Sequence, residues 1–461
     1  MRFFFCRFLL ESAVGLFLIC GVVLRLSIWI FYISKIQMGG IYGEICTKKG
    51  IYQRKWRLCG IILHGVLPLQ GIRPDLEAQG EVTEMILIKN VKIYSPKFLG
   101  KKDIFICNGK IVSIAEKLEP NLPNVKVIDA SNLVAIPGLI DKHVHITGGG
   151  GEGGFKTRVP EIMLSNLIEA GITTAVGLLG TDSTTRSVEN LVAKAHALND
   201  EGITCYAHTG AYSSKTPTIT GEIEKDIVFV DPIIGTKLAI SDHRSSSVSK
   251  DELAHIVSAG RVAGMISSKS GHTTLHMGDG KKGLNLIYEV LNEYDMPITL
   301  LQPTHVNRNE ELFKQSFKFI KDGGYIDFTC MPGLTPLEAV KRVKKENLPT
   351  NKITISSDGF GSYSSYDSDG NLLKIGIASV KSLYKEFINF VKDGFSIEEA
   401  LPYFTTNLAR SVALQNKKGE IKENYDADIL LIDEKFEIKF VVAKGEILKD
   451  DSGFIKKGTY E

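Results

Sequence analysis

From Met85 the chain runs through two hydrophobic rhythms in turn. Residues 85–137 hold short segments in which apolar and polar positions alternate, ILIKNVKIYS and DIFICNGKIVSIAE among them, with Asn108-Gly109 at a hairpin turn. Period two marks strands with one buried face. The last stretch, ADILLIDEKFEIKFVVAKGEILKDD, reads the same way. Between them, apolar runs at 139–146, 172–180, 203–211, 233–241, 272–278, 296–306, 324–330 and 352–359 alternate with segments of helical spacing, such as VENLVAKAHALNDEG and NEELFKQSFKFIKDGG. Eight strands at intervals of roughly 25–40 residues match a (β/α)8 TIM barrel of about 250 residues. A doubly wound open sheet would alternate in the same way. The expected architecture is α/β: a barrel over residues 138–410 and a small β-sandwich domain built from both ends of the catalytic chain, residues 85–137 and 411–461.

Residues 1–84 follow neither rhythm. Ser12–Ser34 is strongly apolar, with Arg25 near its middle. At ~20 residues such a run is long enough to cross a bilayer. A central Arg costs roughly 2.5–3.5 kcal/mol on an insertion scale, which the surrounding Leu, Ile, Val and Phe offset. Met85, however, opens a clean strand pattern as a mature N-terminus does. The preferred reading is therefore a start artefact or non-functional extension, with a membrane anchor as the alternative. Membrane association is expected only if this apolar segment belongs to the working protein.

Composition narrows the class. With 43% hydrophobic and 23% charged residues and a net charge of +2, the chain reads as a soluble enzyme with no basic surface for nucleic acid. Four of the seven cysteines precede residue 60, and the others, Cys107, Cys205 and Cys330, stand far apart without a CxxC. That usage suits a reducing, cytoplasmic setting rather than a disulfide framework.

Polar residues out of place in apolar strands carry the chemistry. In a barrel the C-terminal strand ends converge on one mouth, where active sites form. His143 and His145 lie two apart at the first strand's end, so both imidazoles share a face and suit chelation of a divalent metal. Lys237, inside IIGTKLAIS, is costly unless paired or neutralised. It reads either as a strand-end lysine reaching solvent or a salt bridge, or as a neutral amine that reacts with CO2, the carbamate then bridging metals as a carboxylate would. His276, His305 and Asp358 end the fifth, sixth and eighth strands. Taken singly they are core histidines or a helix cap. Together the six residues suit two metals acting as a pair. Of the remaining histidines, His196, His208, His243, His255 and His272 are not expected to be ligands, and Asp279-Gly280-Lys281-Lys282 reads as a solvated loop. The run Gly148–Gly151 lacks a phosphate-loop pattern and reads as a flexible turn or a close backbone approach to ligand.

PGLIDKHVH, Lys237, His276, His305 and Asp358 resemble the metal signature of the amidohydrolase superfamily in its binuclear, carbamylated-lysine form, shared by dihydroorotases, hydantoinases and D-aminoacylases. The segments HITGGGGEGGFKTRVPE, GLLGTDSTTR, TGAY, AISDHRS, HMGDGKKGL, PTHVNRN and SSDGFGS resemble those of bacterial isoaspartyl (β-aspartyl) dipeptidases, in order from Met85 to the end. The resemblance implies cleavage of the β-aspartyl bond of dipeptides by a metal-bridging hydroxide. It places His143, His145 and Asp358 on one metal, His276 and His305 on the second, and carbamylated Lys237 between them. It makes Asp358 the proton shuttle and has Tyr212 polarise the scissile carbonyl. Charge supports the substrate set: Glu152 would meet the α-ammonium, and Arg244 and Arg308 the two carboxylates; taken singly, either arginine reads as an exposed loop residue. The resemblance adds Gly150, Thr181 and Ser362 to substrate binding. Zn²⁺ fits the nitrogen-rich donor set, and a homo-oligomer, an octamer, is implied.

Two departures from the family pattern, Phe360 in SSDGFGS and the loop CMPGLTP, are expected to affect which second residue is accepted. The alternative within the superfamily is an N-acyl-amino-acid or cyclic-amide hydrolase, D-aminoacylase- or dihydroorotase-like, which has no need of Glu152 for an ammonium. A catalytically inactive scaffold barrel is the remote alternative, disfavoured because all six ligand candidates are present.

Overall fold

The computed structural model describes residues 84–461 apart from 246, 368 and 370. The reading of residues 1–83 as an artefact or anchor therefore lies outside the described residues, and among those described no helix is long and apolar enough to cross a membrane.

The first rhythm forms β1 (Met85–Ser95), β2 (Lys97–Cys107), β3 (Lys110–Ala115), β4 (Val125–Asp129) and β5 (Val134–Pro137). The barrel follows as β6 (Leu139–Val144), β7 (Ile172–Gly177), β8 (Thr204–Gly210), β9 (Ile233–Ile240), β10 (His272–Met277), β11 (Leu301–Thr304), β12 (Ile326–Thr329) and β13 (Ile353–Ser356). A hairpin of β14 (Ser362–Tyr366) and β15 (Leu372–Ile377) comes next. The chain ends in β16 (Ile429–Ile432), β17 (Ile438–Ala443), β18 (Glu446–Asp450) and β19 (Gly453–Phe454).

Strands β6 to β13 pair in sequence order, all parallel. Every residue in them is buried except Tyr206, as expected where helices cover the outside and side chains fill the inside. The ring closes where Val144 bridges Gly359 in parallel and the His145 N–H donates to the Gly359 carbonyl at 2.9 Å. Local signals agree with the helices between them. Ser249 with Glu252, and Thr335 with Glu338, form capping boxes that open helices Lys250–Ser267 and Pro336–Lys345.

The two chain ends form one nine-stranded sheet, in which β5 lies between β1 and β16. Its own core is Ile-rich, including Ile86, Ile88, Ile104, Ile429 and Val442. The fold is thus a TIM barrel with a small β-sandwich domain built from both ends. The end of that sheet is tied to the barrel's start by the Gly138 N–H, which donates to the Asp428 carbonyl at 2.9 Å. Beside it the buried Lys418 ammonium holds Asp428 at 2.6 Å and Asp426 at 2.9 Å.

Candidate active site

The strand ends bring the sequence-predicted residues to one mouth. His143 is the next-to-last residue of β6 with His145 just beyond the strand, and Asp358 follows β13 across the closing seam. The Asp358 Oδ1 lies 3.4 Å from His143 Nε2 and 3.1 Å from His145 Nε2, and these three residues form a group able to hold a metal ion. The fully buried Lys237 of β9 places its Nζ 3.2 Å from His143 Nε2. Burial pulls its ammonium down to about 7, so near neutral pH much of it is free amine. The His305 ring stands 4.8 Å from that of His143 and 4.6 Å from that of His276. Burial, reinforced by the neighbouring cations, holds His143, His276 and His305 well below the ordinary imidazole range, so these rings are neutral and carry lone pairs.

The donor set fits a divalent metal on the structure's own terms. Buried polar atoms are normally paired. Here His143 Nδ1, His145 Nδ1, His305 Nε2 and Asp358 Oδ1 are buried with no hydrogen-bond partner. The His305 Nδ1 is turned to Thr329 Oγ1 at 2.7 Å, which leaves Nε2 towards the other rings. A cation held between Asp358 Oδ1 and the Nε2 atoms of His143 and His145 would satisfy that orphaned oxygen.

Above this cluster opens a cavity of about 450 Å³ lined by His145, Asp358 and every proposed substrate residue: Gly150, Glu152, Thr181, Tyr212, Arg244, Arg308 and Ser362. Glu152 Oε1 accepts from Ser362 Oγ at 2.8 Å and Thr181 Oγ1 at 3.3 Å, and Arg244 lies 3.5 Å away. The Tyr212 hydroxyl contacts His276 Nδ1 at 2.9 Å. Burial pushes that phenol far above its usual range, so it remains a proton donor. Arg308 faces Asp279 at 3.7 Å. Gly150 meets its need for glycine directly: with φ +80°, a Cβ there would lie 2.4 Å from the Thr157 carbonyl oxygen.

The comparisons with known proteins identify the family. The model of the amidohydrolase family matches residues 335–448. The crystal structure of the β-aspartyl dipeptidase of Fervidobacterium islandicum AW-1, solved with a β-Asp-Leu dipeptide, is 42% identical, with a TM-score of 0.78 over 81% of this chain and 98% of that one. The chain belongs to the amidohydrolase family. It is a hydrolytic enzyme of the amidohydrolase type. A dihydroorotase of Elusimicrobium minutum is 46% identical over only 69 residues, 14% of this chain and 16% of that protein. The 5'-deoxyadenosine deaminase of Methanocaldococcus jannaschii is 25% identical over 378 residues, 76% of this chain and 85% of its own length.

The amidohydrolase site also holds residues that the sequence reading missed. Asp242, two before Arg244, grips its guanidinium at 2.9 and 2.7 Å and accepts from His276 Nε2 at 3.1 Å. Burial alone would raise its carboxyl, but the hydrogen bonds from Arg244 and His276 outweigh burial and hold it well below the usual carboxylate range. Arg186, buried, donates to the carbonyls of Thr147, Gly149 and Val159 and so pins the glycine-rich loop. The hairpin contributes Tyr363, Ser364, Ser365, Lys374 and Gly376 to the cavity wall. Residues Asp279-Gly280-Lys281-Lys282 are exposed, as a solvated loop is, and Asp279 also borders the cavity. Phe360 is not among the lining residues; it packs against the barrel core, while Met331 and Pro332 of the CMPGLTP loop do line the cavity.

Proposed function

We propose that this amidohydrolase is a binuclear β-aspartyl dipeptidase. The observation that carries the reading is the pairing of Glu152 with Arg244 at 3.5 Å in the cavity above the histidine cluster. An isoaspartyl residue bears its ammonium and α-carboxylate on one carbon, so their binding groups must stand side by side, as these two do. Arg308 would take the second carboxylate, at the dipeptide's C-terminus.

Two divalent ions, Zn²⁺ by donor chemistry, would be held by His143, His145 and Asp358 and by His276 and His305, and when bound would supply water activation and Lewis acidity. Lys237 would join both sets as a carbamate: the neutral amine forms an N–C bond to CO2 and releases one proton. Thr181, Ser362 and the backbone at Gly150 would hold the aspartyl end. Tyr212, kept protonated by its burial, would donate its O–H to the developing oxyanion. Asp358 would accept the proton of the attacking water and return it to the leaving amine. The proposed setting is the reducing cytoplasm, supported by Cys107, Cys205 and Cys330, which are free thiols.

The deciding experiment offers isoAsp-Leu, an N-acetyl amino acid and dihydroorotate to the purified protein with added zinc. Turnover of isoAsp-Leu alone is expected. Preference for either of the others would replace the reading with the N-acyl or cyclic-amide alternative.

A further inference from the structure

We propose that Asp242 is a positioning residue that sets the metal-facing histidine His276 and the carboxylate-binding arginine Arg244 from a single carboxylate. The inference rests on the dipeptidase reading above and adds to it a residue that ties the cation site to the substrate site.

The four contacts fill the carboxylate. Oδ1 accepts from the Arg244 main-chain N–H at 2.8 Å and from its Nε at 2.9 Å. Oδ2 accepts from the Arg244 terminal nitrogen at 2.7 Å and from His276 Nε2 at 3.1 Å. A carboxylate only accepts, so the His276 proton must sit on Nε2. That leaves Nδ1 with its lone pair, the state a metal ligand requires; the Tyr212 hydroxyl lies 2.9 Å from Nδ1 and 3.2 Å from Nε2, and an Arg244 terminal nitrogen lies 3.5 Å from Nε2. Outer carboxylates of this kind fix the tautomer and orientation of ligating imidazoles.

The same grip fixes Arg244. Its guanidinium carbon lies 5.0 Å from the Tyr212 ring centre, and its remaining terminal nitrogen is aimed at Thr181 Oγ1, 3.1 Å away. Asp242 itself has little freedom. It is 3% exposed, and Gly278 passes so close that a Cβ there would lie 2.5 Å from the Asp242 Cβ. Small displacements of one carboxylate would therefore move both groups together.

Asp242→Asn tests this, because it keeps size and Oδ1 but replaces Oδ2 with an amide that cannot accept. Zinc affinity is measured by competition with a chromophoric chelator, without substrate. Binding of isoAsp-Leu is compared with that of β-alanyl-leucine, which is isoAsp-Leu without its α-carboxylate. One of the two zinc affinities should fall about 10–100-fold, the usual cost of losing an outer-sphere partner, while the other holds. At saturating zinc the KM for isoAsp-Leu should rise about tenfold, and the inhibition constant of β-alanyl-leucine should stay nearly constant. If the Asn variant does not fold, Asp242→Glu, which keeps the charge on a longer arm, is read in the same way. A folded variant with both zinc affinities and the isoAsp-Leu KM unchanged overturns the proposal, as does an equal loss on both ligands. Should the unaltered protein bind two zinc ions yet fail to cleave isoAsp-Leu, the dipeptidase reading falls and the zinc measurement alone decides the role of Asp242.

Discussion

Glu152 and Arg244 face each other across 3.5 Å at the wall of the cavity. Opposite charges placed so close suit a ligand that carries its own opposite charges on one carbon. Glu152 has a second reason to be a ligand group. Its Oε1 is held by Ser362 and Thr181, whereas its Oε2 is buried with no partner. Replacing it with Gln removes the charge and keeps the shape. A hydrogen bond to a charged group contributes roughly 1.5–3 kcal/mol, so kcat/KM on isoAsp-Leu should drop by about one to two orders of magnitude. N-acetyl-isoAsp-Leu, which has no ammonium, should lose little. Equal losses on the two substrates would remove Glu152 from this role.

Asp358, the proposed proton carrier, lies within 3.4 Å of both His143 and His145. Asp358→Asn keeps an oxygen for a metal but cannot take up a proton at neutral pH. Loss of general acid–base catalysis costs about 10²–10⁴ in rate. The expected result is a kcat reduced by that much, with zinc content by atomic absorption largely intact. Full activity in this variant would exclude the role.

Much of this site was legible because barrel geometry turns strand ends into one address. His143, His145, His276, His305 and Asp358 each stood out as polar residues at the end of an apolar run, and Lys237 as a lysine inside one. What the pattern did not reveal was backbone shape: His305 and Asp358 both adopt left-handed conformations, with φ of +61° and +53°, and no period announces that. The β14–β15 hairpin escaped because SYSSY and LLKIGI are partly exposed on both faces, so no alternation of buried and solvated positions marks them. Asp242 and Arg186 resemble ordinary loop residues in sequence. Their importance depends on partners brought near by the fold, His276 for one and the carbonyls of the glycine-rich loop for the other.

Lys237 provides a test of the metal assembly separate from substrate. Lys237→Ala removes the proposed carbamate and should abolish tight binding of at least one zinc ion. Millimolar acetate or propionate should restore part of the binding and turnover, because a free carboxylate can occupy the vacated space. Zinc should also raise the thermal midpoint of the unaltered protein. Ligand at about 100 times its Kd stabilises by about 2.7 kcal/mol per site, and a chelator should reverse the rise. A midpoint indifferent to zinc and chelator would contradict a metal-holding role for the cluster.

Arg186 separates the rigidity of the glycine-rich loop from the chemistry beneath it. Its guanidinium is buried and donates to three backbone carbonyls, those of Thr147, Gly149 and Val159. Those bonds hold both sides of the segment that carries Gly150 and Glu152. The metal candidates His143 and His145 are placed instead by β6 and by the bridge to Gly359. Arg186→Met keeps most of the stem volume and removes every donor. Each buried carbonyl left without a partner costs about 1–3 kcal/mol, less where water can enter from the cavity, so urea denaturation should show a loss of about 2–4 kcal/mol. If the loop exists to aim Glu152 and Gly150, the KM for isoAsp-Leu should rise several-fold more than kcat falls, with zinc affinity unchanged. Reduced stability accompanied by a normal KM would assign Arg186 to the fold alone.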